Sequence, residues 1–194
     1  ASRFTESVIR EMTRVARVHN AINLAQGFPD FPAPEELKEA AVRWIRADLN
    51  QYAVTWGSDR LRSAIASYMQ KRRGVTIDAD TQVTVCCGAT EAMIAALMGV
   101  LDPGDEFLVP EPFYENYGPD GILSGAVPLF VPLGTGFTVD VDALKRAAGP
   151  NTRALILNTP HNPTGRVFDR AEITALCDFI KERDMLLFTD EIYE

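Results

Sequence analysis

From about residue 82 onward, short apolar runs alternate with segments in which apolar residues recur at helical spacing. The runs predict five strands, at Gln82–Cys87, Glu106–Pro110, Val127–Leu133, Arg153–Thr159 and Met185–Asp190. The segments between them predict four helices, at Thr90–Leu101, Tyr114–Ser124, Val141–Ala148 and Asp169–Arg183. Strands that are apolar on both faces and separated by helices indicate a parallel sheet covered on both sides. We therefore predict an α/β fold with three layers, α/β/α, around a mainly parallel sheet.

The first 80 residues follow a different pattern. Gly27 to Pro34 is an extended, proline-rich segment, and Pro34 opens an amphipathic helix predicted over Glu35–Leu49. A second helix is predicted to begin near Ser58, whose hydroxyl can cap the first turn. The apolar residues expected to be buried by this second helix are Leu61, Ile65, Tyr68 and Met69.

Polar and small residues follow several of the predicted strands, which is where ligands of parallel sheets bind. The segments are Gly88-Ala89-Thr90, Glu111 to Tyr114, Pro160 to Gly165, and Asp190 to Tyr193. The first opens a helix, and a helix N-terminus suits an anion such as a phosphate. Each segment also has an ordinary structural interpretation: a tight turn, an Asn-Pro turn, a helix cap and half-buried tyrosines. Taken one at a time, the segments leave the function open.

Composition and charge exclude several classes of protein. The 194 residues carry a formal net charge of −8 with dispersed basic residues, which argues against a nucleic-acid surface. No apolar stretch is long enough to cross a membrane, and the charged N-terminus lacks the apolar core of a signal peptide. Three cysteines and two histidines provide neither a disulfide framework nor a metal site. We expect a reduced, cytoplasmic protein without metal.

The motifs also occur in a characteristic order along the chain. They are "YxxxxGxxxLRxAIA" from Tyr52, "GATEA" from Gly88, "PEPFYENY" from Pro110, "NTPHNPTG" from Asn158 and "TDEIYE" from Thr189. This series resembles the class I/II aminotransferases, which are fold-type I enzymes dependent on pyridoxal 5′-phosphate (PLP). The segment "INLAQGFPDFPAP" is most similar to the branch with kynurenine, glutamine and methionine aminotransferases. The resemblance runs from about Ile22 to Glu194 and implies the aspartate aminotransferase-like fold.

The resemblance implies a cofactor-binding role for residues at the strand ends. Ala89 and Thr90 would bind the PLP phosphate through backbone amides and the threonine hydroxyl. Tyr114 would stack on the pyridine ring and fix its plane. Asn162 and Tyr193 would hydrogen-bond the phenolic oxygen of the ring from two sides.

Catalytic and substrate-binding roles follow from the same resemblance. Asp190 would pair with the pyridine nitrogen and keep it protonated, so that the ring accepts electrons from the substrate, and Tyr193 would assist at the ring oxygen. Gly27 would lie where the N-terminal segment closes over the substrate, with Asn162 also near it. Tyr52 would reach the phosphate of a neighbouring subunit, which implies a homodimer with a shared active site. The implied substrates are an α-amino acid and a 2-oxo acid.

The resemblance divides the chain into two parts. Residues 1–50 would be the N-terminal arm and the start of a small domain, and residues 51–194 the first part of the large PLP-binding domain. Phe28 and Trp56 could line the pocket or simply pack. The lysine that binds PLP covalently in the family is expected beyond the aspartate–tyrosine pair. The chain is therefore expected to be the N-terminal half of an aminotransferase, with the fold incomplete at its C-terminus.

Three alternatives remain open from the sequence. A cysteine-conjugate β-lyase has the same fold and cofactor and differs only in the group that leaves. A non-catalytic PLP-binding fragment agrees with the missing lysine. A doubly wound nucleotide-binding module predicts a GxGxxG or GxxxxGK[ST] turn after its first strand, and "CCGATEAM" contains neither.

Overall fold

The computed structural model describes residues 7–27 and 29–193, which form two compact units divided between Val85 and Cys86. Phe28, predicted to line the pocket, lies outside the described residues. The division of the chain into a small domain up to residue 50 and a large domain from residue 51 stays a prediction.

The first unit contains three helices: α1 (Val8–Val18), α2 (Glu35–Arg46) and α3 (Asp59–Arg73). The predictions of α2 and α3 are confirmed, and the Ser58 hydroxyl accepts a hydrogen bond from the Leu61 amide at the start of α3. Helix α1 was not predicted, although Val8, Met12 and Val15 recur at helical spacing within it.

The predicted burial of one face of α3 is wrong. Leu61 and Tyr68 are 46% and 45% exposed, and Ile65 and Met69 are only partly covered. The three helices of this unit pack little against one another, so the apolar face of α3 has no partner element within the unit. The residue that α3 does bury is Arg62, whose guanidinium contacts surrounding carboxylates and carbonyls.

The second unit is an α/β structure. Its four parallel strands lie in the order β2-β1-β3-β4, with bounds β1 (Glu106–Glu111), β2 (Val127–Pro132), β3 (Thr152–Asn158) and β4 (Leu186–Asp190). Its helices are α4 (Gly88–Val100), α5 (Tyr117–Ser124), α6 (Val141–Ala147) and α7 (Arg170–Glu182), with a short 3₁₀ turn at Thr135–Phe137. The predicted α/β fold with a parallel sheet is confirmed.

The strand predicted at Gln82–Cys87 is wrong. This run pairs with no described strand; the Val85 amide donates a hydrogen bond to the Trp56 carbonyl, and the Gln82 amide donates one to the Asp78 carbonyl. A β-strand needs a hydrogen-bonded neighbour at successive residues, and no described residue supplies one here.

Two apolar clusters cover the two faces of the sheet. Alternate residues of β1 and β3 point to opposite faces, as the two-residue period of a strand requires. One cluster joins strand residues to α6 and α7 and includes Leu108, Leu155, Leu157, Leu176 and Phe179. The other joins them to α4 and α5 and includes Phe107, Val109, Ala154, Ile156 and Leu97. The unit therefore has the predicted three layers.

Helix α7 begins with a capping box. The Asp169 carboxylate accepts a hydrogen bond from the Glu172 amide, and the Glu172 carboxylate accepts one from the Asp169 amide, both at 2.9 Å. Burial alone would raise the pKa of Glu172, but hydrogen bonds from the Asp169 and Val139 amides and from Arg166 lower it below its usual value. Glu172 is thus ionised as it holds the N-terminus of the helix.

We expect Asp169→Ala to lower the free energy of unfolding by about 1 kcal/mol, because it leaves the Glu172 amide without its acceptor. Asp169→Asn is the matched control and should change it little, since Asn caps helices as well as Asp. Denaturant unfolding of the two variants measures both values. Equal stability of the alanine variant and the wild type would contradict the assignment of this cap.

Among residues 7–27 and 29–193, no helix is long and apolar enough to cross a membrane. No group of three or more His, Cys, Asp or Glu side chains there is placed to hold a metal ion.

Candidate active site

A cleft of about 220 Å³ opens in the second unit where β3 and β4 end and α4 begins. Its volume lies at the small end of ligand sites and suits a single-ring ligand rather than a dinucleotide. The residues that line it are Ala89, Thr90, Met93, Tyr114, Asn116, Tyr117, Asp120, Asn158, Asn162, Asp190, Ile192 and Tyr193.

The N-terminus of α4 forms one end of the cleft. The chain turns into the helix through Gly88, whose φ of +80° is accessible to glycine at little cost. The N-cap residue Cys87 makes no side-chain cap, its own amide donates to the Glu91 carboxylate, and Ala89 and Thr90 of the first turn line the cleft. Amides of a first helical turn have no partner within the helix, so this end can bind an anion.

The carboxylate of Asp190 is held in a fixed orientation at the end of β4. Its Oδ2 accepts a hydrogen bond from the Tyr117 hydroxyl at 2.7 Å, and its Oδ1 accepts one from the Ile192 amide at 3.2 Å. The Asn158 side chain donates to the Asp190 carbonyl at 2.9 Å and so joins the ends of β3 and β4. The cleft therefore contains a carboxylate that two donors orient.

Tyr117 is a hydrogen-bond donor within the cleft. Only 3% of its surface is exposed. Burial, together with the hydrogen bond to Asp190, raises the pKa of Tyr117 well above its usual value. The hydroxyl therefore stays protonated and donates to Asp190.

Asn162 and Tyr193 meet at the rim of the cleft. The Asn162 side-chain nitrogen donates to the Tyr193 hydroxyl at 3.2 Å, and the Asn162 amide donates to Asn158 Oδ1 at 2.6 Å. The buried His161 anchors the loop that carries Asn162. Its Nδ1 lies 2.8 Å from the Thr164 hydroxyl oxygen. Burial lowers the pKa of His161, so its ring is neutral at pH 7.

The ring of Tyr114 forms another wall of the cleft. It lies edge-on to Tyr117, with ring centroids 5.8 Å apart and an interplanar angle of 80°. The preceding Phe113 stacks on Phe130 of β2 at 4.6 Å, which anchors the loop to the sheet. An aromatic ring supported in this way offers a surface on which a planar ligand can stack.

Comparison with known proteins identifies the family. A sequence profile described as "Aminotransferase class I and II" matches residues 19–194. The chain belongs to the class I and II aminotransferases. This confirms the resemblance and the PLP-dependent fold predicted from the motifs.

Individual aminotransferases support this assignment. The chain is 44% identical over 194 residues to the probable N-succinyldiaminopimelate aminotransferase DapC of Mycobacterium tuberculosis, covering 98% of this chain and 49% of that protein. It is 38% identical over 189 residues to the methionine aminotransferase of Escherichia coli, covering 97% and 49%. The solved structure of N-succinyldiaminopimelate aminotransferase from Mycobacterium tuberculosis matches with a TM-score of 0.95 at 43% identity, covering 100% and 51%. The chain spans about half the length of the curated relatives it matches.

The aminotransferase chain brings together most of the residues that the sequence singled out. Six of the predicted site residues line the one cleft: Ala89, Thr90, Tyr114, Asn162, Asp190 and Tyr193. Gly27 and Tyr52 belong to the first unit, where Tyr52 is fully exposed, and their roles stay predictions. Trp56 is also in that unit and is 52% exposed.

Sequence reasoning missed other residues of this aminotransferase cleft, among them Asn158, Tyr117 and Asp120. Asn158 is a polar residue at the end of an otherwise apolar strand, a signal that was available within "NTPHNPTG". Tyr117 and Asp120 follow Tyr114 at intervals of three residues, which places the last two on one face of α5. That spacing could have marked them.

Proposed function

We propose that this chain is part of a PLP-dependent aminotransferase, which transfers an amino group from an α-amino acid to a 2-oxo acid. The observation that carries the proposal is that one cleft contains two groups of opposite preference. The oriented carboxylate of Asp190 and the first turn of α4, at Ala89 and Thr90, both line it.

The residues present fit PLP chemically. PLP has a phosphate, an aromatic ring, a phenolic oxygen and a basic ring nitrogen. The cleft offers a helix N-terminus at Ala89 and Thr90, the ring of Tyr114, donors on Asn162 and Tyr193, and the Asp190 carboxylate. Each group of the cofactor thus has a matching partner type, and we assign these residues to it accordingly.

A bound PLP would supply a ring that can accept the electrons released when the Cα–H bond of the amino acid breaks. Asp190 would favour this chemistry because its negative charge would hold a proton on the ring nitrogen. Tyr117 acts as a positioning residue, since its hydroxyl fixes the carboxylate by a 2.7 Å hydrogen bond. Asn162 and Tyr193 would hold the phenolic oxygen of the ring through hydrogen bonds.

No lysine is among the described residues that line the cleft. The proposal therefore includes a lysine from outside these 194 residues, which binds the cofactor and moves the substrate proton.

The experiment uses the purified protein at its natural length. It is titrated with PLP and then assayed with a panel of L-amino acids and 2-oxoglutarate. We expect one PLP per chain and formation of glutamate. Absence of saturable PLP binding, or PLP binding without amino transfer for any donor, would overturn the proposal. Release of pyruvate and ammonia from a cysteine conjugate, without amino transfer, would support the β-lyase alternative.

We also propose that the protein acts as a cytoplasmic homodimer. The exposed Tyr52 in the first unit supports a role toward a neighbouring subunit, and the free thiols of Cys86, Cys87 and Cys177 agree with a reducing compartment. Light scattering of the PLP-loaded protein should give twice the chain mass. A monomer with full activity would contradict a shared active site.

The role of Tyr117 gives a separate prediction. We expect Tyr117→Phe to lower kcat by about tenfold, because a hydrogen bond to a charged group contributes about 1.5–3 kcal/mol and the ring itself is retained. The absorbance of bound PLP as a function of pH should shift as well, since the orientation of Asp190 changes. An unchanged pH profile and unchanged kcat would remove Tyr117 from this role.

A further inference from the structure

The cleft contains a second carboxylate, which the proposed function does not use. Asp120 is 6% exposed and lines the cleft, and its Oδ2 has no hydrogen-bond partner. A buried polar atom without a partner is costly, and few are tolerated in a folded protein. Because Asp120 lines a ligand cleft, a bound ligand can supply the compensation that the surrounding protein does not.

The position of Asp120 is set by the packing of α5 on the sheet. Gly118 and Gly121 of α5 face Phe130 and Phe107, and the neighbouring residues Tyr117 and Asp120 line the cleft. Asp120 lies one turn beyond Tyr117, the residue that holds Asp190. The two carboxylates therefore line one cleft from α5 and β4.

No positive charge among the described residues compensates Asp120. The elements around the cleft contribute neutral or acidic groups: Ala89, Thr90 and Met93 from α4, Tyr117 from α5, Asp190 from β4, and Tyr114 and Tyr193 from loops. The excess of negative charge at this wall favours a ligand that carries positive charge.

We propose that Asp120 is a second carboxylate of the cofactor site, which with Asp190 makes the cleft selective for a cationic aromatic ring. This inference rests on the proposed function and adds to it. The family resemblance implies one carboxylate, Asp190, at the ring nitrogen; the proposed site adds a second carboxylate, Asp120. Asp120 thus binds by charge, and Asp190 supplies the oriented contact.

The ionisation of Asp120 agrees with this role. Burial raises the pKa of Asp120 to about 6. It is therefore ionised at pH 8 but retains its proton at pH 5. Because its pKa in the folded state lies above the unfolded value of 3.8, it stabilises the cofactor-free protein at low pH and loses that contribution as pH rises through 6.

The test compares two ligands and two variants at pH 8, using the cofactor-free protein at its natural length. The ligands are PLP and its analogue in which C–H replaces the ring nitrogen. We expect Asp120→Asn to weaken PLP binding about tenfold and to change binding of the analogue less than about twofold. Asp142→Asn removes an equal charge at an exposed position of α6 and serves as the control.

A thermal scan separates this role from a structural one. In the cofactor-free protein Asp120→Asn should raise Tm by about 2–4 °C at pH 8, by less at pH 5 and little below the unfolded pKa of 3.8, because it removes a buried charge whose cost appears between those pKa values. Stability and PLP affinity thus move in opposite directions. If the carboxylate were purely structural, its replacement would lower both the stability and the PLP affinity, or neither.

Three results would overturn the inference: PLP affinity within twofold of wild type, an equal loss for both ligands, or a lowered Tm at pH 8. If the wild-type protein binds neither ligand, the proposed function itself fails. If wild type binds PLP and Asp120→Asn binds it equally well, only the role of Asp120 fails.

Discussion

Asp190→Asn is expected to lower the rate of amino transfer by about 10²–10³-fold while the protein remains folded. Removal of a single preoriented electrostatic group from an active site has effects of this size. Asparagine keeps the shape of the side chain: its oxygen can still accept the hydrogen bond from the Ile192 amide, and its NH2 group can donate one to the Tyr117 hydroxyl oxygen. The change therefore removes the charge with little rearrangement.

The physical reason is the loss of the proton on the ring nitrogen. A neutral amide stabilises a protonated pyridine far less than a carboxylate does, so the ring accepts electrons poorly. PLP should still bind through the helix N-terminus and Tyr114, with a changed absorbance spectrum. Asp178→Asn, at an exposed position of α7, is the control and should have wild-type activity. Near-normal amino transfer in Asp190→Asn would remove Asp190 from the mechanism.

Gly121→Ala is expected to lower the free energy of unfolding by about 1–3 kcal/mol, the usual cost of overpacking a core. A Cβ on Gly121 would lie 2.6 Å from both Cε1 and Cζ of Phe107 and 3.4 Å from Cδ of Pro128. Phe107 is fully buried in the cluster under α4 and α5, so its ring cannot move aside freely.

The matched control is Gly118→Ala in the same helix. Its Cβ would meet only Cζ of Phe130, at an ordinary 3.7 Å. We expect this variant to be neutral or more stable by about 0.5–1 kcal/mol, because alanine restricts the unfolded chain. Denaturant unfolding measures both variants. If they were equally stable, the close approach of α5 to β1 would be wrong.

Gly121→Ala should also affect the site. Helix α5 carries both Tyr117 and Asp120, so displacement of the helix from the sheet moves the donor to Asp190. We expect weaker PLP binding in Gly121→Ala and unchanged binding in Gly118→Ala. The stability of the sheet and the geometry of the cleft are thus connected through one glycine.

The parallel sheet was predictable because its strands are buried on both faces. The central residues of β1 and β3, FLVP and ALIL, are all apolar, and such runs between helices have few other interpretations. Their ends then located the cleft, since parallel strands place their carboxyl ends at one edge. Thr90, Asn162 and Asp190 were found by this reasoning together with the family resemblance.

The errors arose where a segment depends on partners that its own sequence does not specify. Gln82–Cys87 has the composition of a strand but no hydrogen-bonded neighbour among the described residues. The apolar face of α3 has the right period but no element to cover it within its unit. Periodicity predicts which residues could be buried, and tertiary packing decides whether they are.

Asp120 shows a different limit. In the sequence it is an acidic residue in the first turn of a helix, where acidic residues are common for helix-dipole reasons. Only the structure reveals that it is buried, lacks a partner for Oδ2 and lines the cleft. A sequence pattern does not distinguish an exposed helix-start acid from one that faces a ligand.

The most direct test of the central claim is a crystal structure of the protein at its natural length with PLP bound. The account predicts the ring nitrogen within hydrogen-bond distance of the Asp190 carboxylate, the phosphate on the amides of Ala89 and Thr90, and the ring against Tyr114. PLP bound elsewhere, or bound in this cleft with its ring nitrogen directed away from Asp190, would contradict it.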